Sequence, residues 1–390
     1  MTPDFLIVGA GPTGCALGVY LRRRGATVRL VEAVERPESV VGESMLPCSA
    51  EVFEDCGLDL SGFAVKHGAV FCEGGRSVRF DFSEAEDPKY TFAWQVQREV
   101  FDLRWRAVAE AAGCEIVYAK ATDVALPGTL HTTAGPLRAG RIVDAAGRDM
   151  WLAGKLGLRV GDARLRNAAI GSRFCGVKQR SPDEPGDITI CCIPGGWIWI
   201  IPFGGGVASV GVVMSPACPL SGTPEERFAG ALAASPDAAA RLVDAERILP
   251  WRGLKDFTQS ATTFSGEGFA LCGDAATFID PVFSSGVLLG LKGAKMLADA
   301  LTGGDLAEYE GKYRDGAGVF RKVIDHWYAG DFMTLALAPR ELQKPYFRRG
   351  IVTLLAGDVY RTGPTAARTM ADRMPGLAQK VREHAGAPPA

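Results

Sequence analysis

The chain has 390 residues, 47% of them hydrophobic, ten cysteines and a formal net charge of −2. That length supports two or three compact units around a sizeable core, and the near-neutral balance argues against the concentrated basic face that nucleic-acid binding needs. The cysteines are scattered without a CxxC pair and there are only four histidines, which predicts reduced core thiols, no disulfide frame and no metal site.

The first element carries the most information. Phe5-Leu6-Ile7-Val8 predicts a buried strand, Gly9-Ala10-Gly11-Pro12-Thr13-Gly14 a GxGxxG turn opening a helix, and Val28-Arg29-Leu30-Val31 a second strand ending on Glu32. In this order they predict a dinucleotide site. Gly9 permits the tight turn, Gly11 and the adjoining Ala10 amide let backbone approach a pyrophosphate, Gly14 lets the helix pack on the strand, and Glu32 accepts from an adenosine ribose. A purely structural glycine-rich turn is the alternative. Because a strand begins within the first few residues, no secretory leader is expected and a cytoplasmic chain is.

Farther on, Val100, Phe101, Leu103, Trp105 and Val108 have helical spacing and predict a helix from Glu99 to Ala112, and Ile142-Val143-Asp144 predicts another strand. From about 165 to 260 the pattern changes to apolar, β-branched runs broken by glycine and proline, such as Ile188-Thr189-Ile190 and Val207 to Met214, which predicts a mostly antiparallel sheet. The uncharged stretch from Cys191 to Met214 is interrupted by Pro194 and Pro202, so buried strands are expected there and no membrane span. Phe269 to Asp274 returns to the pattern of the first domain and leads into a helix from Gly286 to Leu301; residues from about 305 to 380 read as amphipathic helices, and Gly386 to Ala390 as a frayed tail. The expected fold class is therefore α/β. A discontinuous Rossmann-like domain spans 1–165, with a strand insertion around 65–95, and 263–304. A mostly antiparallel substrate domain is inserted at 166–262, and a helical region follows at 305–390.

Six segments together resemble one family: GAGPTG at the start, VGESMLP at 41–47, QVQREVFD at 95–102, VDAAGRDMWLA at 143–153, WIWIIP at 197–202 and GDAATFIDPVFSSGV at 273–287. Over roughly residues 4 to 330 the chain resembles the flavin-dependent halogenases of phenol and pyrrole type, within the FAD monooxygenase and geranylgeranyl-reductase-like flavoproteins. The resemblance implies FAD, reduced by a separate flavin reductase, and a halide oxidised to hypohalous acid. It places Asp274 on the ribityl chain, Arg98 on the adenosine or pyrophosphate side, and Ser44, Gly286 and Val287 along the cofactor. Ser285 and Gly286 would hold the halide with amides at a helix start, Trp197 and Trp199 would wall flavin from substrate, and Lys66 would receive the halogen. Each residue also has a plainer reading. Asp274 can cap a turn, Arg98 can form a surface ion pair, and Ser284 to Gly286 can be only a helix cap. The two tryptophans can be core, and Lys66 can stand on a solvated strand edge.

Two departures stand out. Glu38 replaces an arginine near the strap that leads into VGES, which weakens the anion-binding character of that strap, and tryptophan halogenases carry a glutamate in the segment equivalent to Pro281 to Gly286, where this chain has Phe283. A phenol, pyrrole or indole, free or tethered to a carrier protein, is therefore expected, with free tryptophan disfavoured. An FAD-dependent aromatic hydroxylase, acting on a protein- or peptide-borne ring, is the alternative enzyme. A flavoprotein that binds without turnover and an isoprenoid reductase are the remaining readings.

Overall fold

A computed structural model describes residues 2–38, 41–87, 89–183, 185–339 and 345–384. The expected terminal tail at Gly386 to Ala390 lies outside them.

The amino-terminal strand Phe5–Val8 sits in the middle of a six-stranded sheet. Val28–Glu32 and Arg141–Asp144 flank it in parallel, Glu115–Tyr118 and Phe269–Leu271 follow outward, and Ser265–Gly266 closes one edge antiparallel. Because Phe269–Leu271 pairs with Arg141–Asp144, residues near 270 complete a sheet begun at residue 5. Parallel sheets need both faces covered, which is why the central strand Phe5–Val8 and the strand Phe269–Leu271 are wholly apolar and buried. The helices Pro12–Arg23 and Ser285–Leu301 pack against each other here, and a Cβ on Gly290 would collide with the Thr13 side chain.

The second sheet has eight strands, with Ala168–Cys175, Val207–Met214, Gly196–Gly204 and Ile188–Ile193 at its centre. Every pairing in it is antiparallel except that of Ile188–Ile193 with Gly68–Glu73. The strands Gly68–Glu73 and Arg76–Asp81, expected as an insertion in the first domain, are thus the far edge of this sheet. Alternation along Gly196–Gly204 sends Trp197, Trp199 and Ile201 into the main core, and Ile198 and Ile200 into a smaller core under the helices Pro224–Ala233 and Pro236–Leu242. Both faces are buried, so the strand reads as continuous hydrophobicity. From Leu306 onward the described chain is helical, beginning with Leu306–Tyr328.

Candidate active site

The turn Gly9 to Gly14 has the construction its glycines predict. Gly9 has φ +100°, and a Cβ there would strike the Ala145 carbonyl; one on Gly14 would strike the Gly9 carbonyl. Gly11 meets nothing within 4 Å, so its face is open. Gly11 is also the N-cap of the helix Pro12–Arg23 with no side-chain cap bond, leaving amides and the positive helix end directed outward. Around this opening runs a trough lined by Gly9, Gly11, Glu32, Arg98, Asp274, Gly286 and Val287. It continues into an inner chamber that shares Arg98, Asp274, Gly286 and Val287 and adds Ser44, Arg148, Trp197, Trp199 and Ser284.

Charged groups along the trough and chamber fall into two sets. Glu32 is turned back on the turn itself, accepting from the Ala10 amide at 2.8 Å and the Val34 amide at 3.0 Å, with the Arg106 guanidinium 3.6 Å away. Arg98 is no loose surface pair: it grips Asp102 through Nε at 2.7 Å and Nη2 at 2.9 Å, and donates to the Val41 carbonyl at 3.2 Å. It thereby ties the strap ahead of VGES to the helix Arg98–Ala111. Asp274 and Arg148 are different, since neither hydrogen-bonds to protein among the described residues. Burial pushes the Asp274 carboxyl up to about 6, with Arg148 and Arg98 acting through space against the rise. Asp274, which lines both trough and chamber, and Arg148, which lines the chamber, leave an acceptor and a donor set that fit a ligand rich in hydroxyl, amide and phosphate groups, as FAD is.

At the start of the helix Ser285–Leu301, Ser284 is the N-cap with φ +55° and no side-chain cap bond. The expected serine cap is therefore not formed, and the first amides remain uncapped by it. Gly286 lines both cavities, whereas Ser285 is buried and lines neither; the serine side chain is a poorer candidate for the halide than the backbone around Gly286.

Trp197 and Trp199 face the inner chamber side by side, ring centroids 6.1 Å apart. Trp197 Nε1 donates to the Tyr328 hydroxyl at 3.3 Å and Trp199 Nε1 to Ser209 Oγ at 3.2 Å. Gly171 and Gly211, paired across two strands, leave the space that the Trp199 indole fills, since a Cβ on either would overlap it.

Lys66 is the residue on which the readings differed most. It is 1% exposed, far from a solvated edge. Its strand, Ala64–Lys66, pairs with Ala93–Gln95, and Nζ donates to Ser44 Oγ at 2.7 Å and stands 5.4 Å from the centre of the Phe82 ring. Burial pulls the ammonium down to about 7, and the Asp187 carboxylate opposes this only in part. Ser44 also lines the inner chamber, so one residue touches both the chamber and the amine.

Residues 77–331 match a family profile described as tryptophan halogenase, and residues 2–122 one described as an FAD binding domain. The chain belongs to the tryptophan halogenase family. It is a flavin-dependent halogenase, an oxidoreductase that uses FAD. The halogenase is 29% identical to a 1H-pyrrole-2-carbonyl-(peptidyl-carrier protein) chlorinase of Pseudomonas fluorescens, over 92% of this chain and 89% of that one. It is 27% identical to the corresponding brominase of Pseudoalteromonas luteoviolacea, over 91% of each. A solved flavoprotein/dehydrogenase from Cytophaga hutchinsonii superposes with a TM-score of 0.90 at 28% identity, covering 99% of this chain and 100% of the other. Family membership decides against the hydroxylase as the principal reading.

Sequence reasoning missed several residues that line or support the candidate site. Glu43 is buried beside the chamber, its carboxyl pushed up to about 7 by burial against Ser209 and Arg173. Arg148 lay inside the quoted VDAAGRDMWLA segment without a role. Asp187 accepts from the His67 amide at 2.9 Å, the Gly68 amide at 2.7 Å and Arg79 Nε at 2.7 Å, clamping the chain just after Lys66. Nothing local in its proline- and glycine-rich loop marked it.

Proposed function

We propose that this halogenase delivers an oxidised halogen through Lys66 to a self-activated ring, with a pyrrole carried as a carrier-protein thioester as the first choice of substrate. One observation carries the reading: a buried amine, with its pKa brought down to about 7, lies directly behind Ser44 of the inner chamber. The names of the pyrrolyl-carrier chlorinase and brominase support the substrate class.

Gly9, Gly11, Asp274 and Gly286 would hold FAD along the trough, and the cofactor, reduced by a separate reductase, would supply the two electrons that bring oxygen to the peroxide level at which it oxidises halide to hypohalous acid. The chain's residues do the rest. Gly286 and the uncapped helix start hold the halide as an anion. Trp197 and Trp199 keep the aromatic substrate from the oxidising centre. Lys66, with its neutral amine available near pH 7, takes halogen from the acid with loss of water, or holds the acid by hydrogen bonding. The ring carbon then takes the halogen and releases its proton. Phe283 packs against Phe71, Trp327 and Phe332, so this segment offers no carboxylate base and the ring's own nitrogen or oxygen must activate it. All ten cysteines are free, in keeping with a reducing, cytoplasmic setting, and no helix among the described residues is long and apolar enough to cross a membrane.

The test is product mass spectrometry with pyrrolyl thioesters, phenols and indoles, a generic flavin reductase, and chloride or bromide. Halogenated pyrrolyl thioester that disappears in Lys66→Ala supports the reading. Halogenation retained in that variant overturns the role of Lys66, and turnover of indoles or phenols alone overturns the substrate.

A further inference from the structure

We propose that Arg148 is the binding residue for the reduced flavin, its guanidinium neutralising the negative charge that the isoalloxazine carries once reduced. The proposal rests on FAD use and is independent of Lys66.

The other arginines around the site are engaged. Arg98 is gripped by Asp102, Arg106 donates to the Ala10, Val34 and Glu35 carbonyls, and Arg173 pairs with Glu99 and Glu43. Arg148 has no hydrogen bond or ion pair to protein among the described residues; its one contact of note is the Phe278 ring, 5.9 Å away. It is mostly buried, and burial pushes its pKa down, with Asp274 opposing this through space. A part-buried guanidinium offers five N–H donors, and leaving them unmatched is costly. A ligand that brings acceptors and negative charge matches this free guanidinium.

Position separates the candidates. Arg148 lines the inner chamber with the tryptophans and is absent from the outer trough around Gly9, Gly11 and Glu32. The nucleotide end of FAD belongs to the outer trough, so the chamber receives the ring end, away from the phosphates. Two anions belong there, the reduced ring and the halide. A planar fork of donors matches the adjacent nitrogen and carbonyl oxygen of a flavin's pyrimidine edge. A spherical halide is served as well by the amides at Gly286.

The experiment compares wild type, Arg148→Gln and Arg148→Lys in acetate buffer free of halide, measuring affinity for oxidised and reduced FAD and the midpoint potential of the bound cofactor. In Arg148→Gln, oxidised FAD binds within about twofold of wild type while reduced FAD binds about tenfold more weakly. The potential then falls by about 30 mV for the two-electron couple. Arg148→Lys recovers part of the shift, because it restores the positive charge but not the fork of donors. Equal weakening of both redox forms would assign Arg148 to general cofactor contact and overturn the proposal. So would an unchanged potential, or an effect that emerges only when bromide is added. Melting of the apoproteins checks folding; if the glutamine variant does not fold, the potentials of Arg148→Lys and Arg148→Met decide.

Discussion

Around Gly9 to Gly14 the site is made of backbone: an open turn, an uncapped helix and charges left free for a ligand. Around Lys66 it is made of side chains drawn from residues 44, 66, 82 and 187, closed so tightly that the lysine is 1% exposed. Between them lies the inner chamber, and Ser44 lines it while accepting from the amine. The contrast teaches that an open site can be built from backbone geometry alone, whereas a lowered amine pKa needs exclusion of water, which a closed pocket of side chains provides.

The largest expected effect comes from removing the amine. Lys66→Ala lowers halogenation by about a thousandfold, while FAD titration stays at the wild-type value; a parallel loss of FAD affinity would erase the separation between the regions. Glycine substitutions come next. Gly14→Ala forces the first helix against the Gly9 carbonyl and costs about 1–3 kcal/mol, read as a lower melting temperature. Gly11→Ala, with open space beside it, leaves melting unchanged and weakens FAD, because the added methyl occupies the ligand's approach.

A third prediction concerns pH. With a neutral amine required and its pKa near 7, the rate of halogen transfer rises about tenfold per pH unit well below 7 and levels off above it. Stability has its own sign. The folded-state pKa lies below the ordinary 10.5, so between about 7 and 10.5 the unfolded chain binds more protons, and stability rises with pH across that window. Lys66→Met is accordingly more heat-stable than wild type at pH 7, and the gain shrinks as pH approaches 10.5. The smallest effect is that of Ser44→Ala. Removing an acceptor from the ammonium favours the neutral form, so the midpoint of the rate profile shifts below 7 by a fraction of a unit; an upward shift would deny Ser44 its place as the amine's partner.

Much of the nucleotide region was determined by sequence alone. Steric limits on a strand–turn–helix connection are local, so Gly9, Gly11, Gly14 and Glu32 announce themselves within one short segment, and the alternating Trp197 and Trp199 fix their common face in the same way. Tertiary structure decided what depends on distant partners. Lys66 read equally as a surface residue until its strand was buried beneath Ser44 and Phe82, and Asp187 reaches it from more than a hundred residues away. The strands 68–81 joined the second sheet rather than the first, since a pairing partner is chosen in space. Arg148 became visible only when its neighbours were seen to be paired and it was not. Local geometry is written in neighbouring residues, whereas desolvation and unmet hydrogen bonding are properties of everything that surrounds a group, and those exist only once the chain has folded.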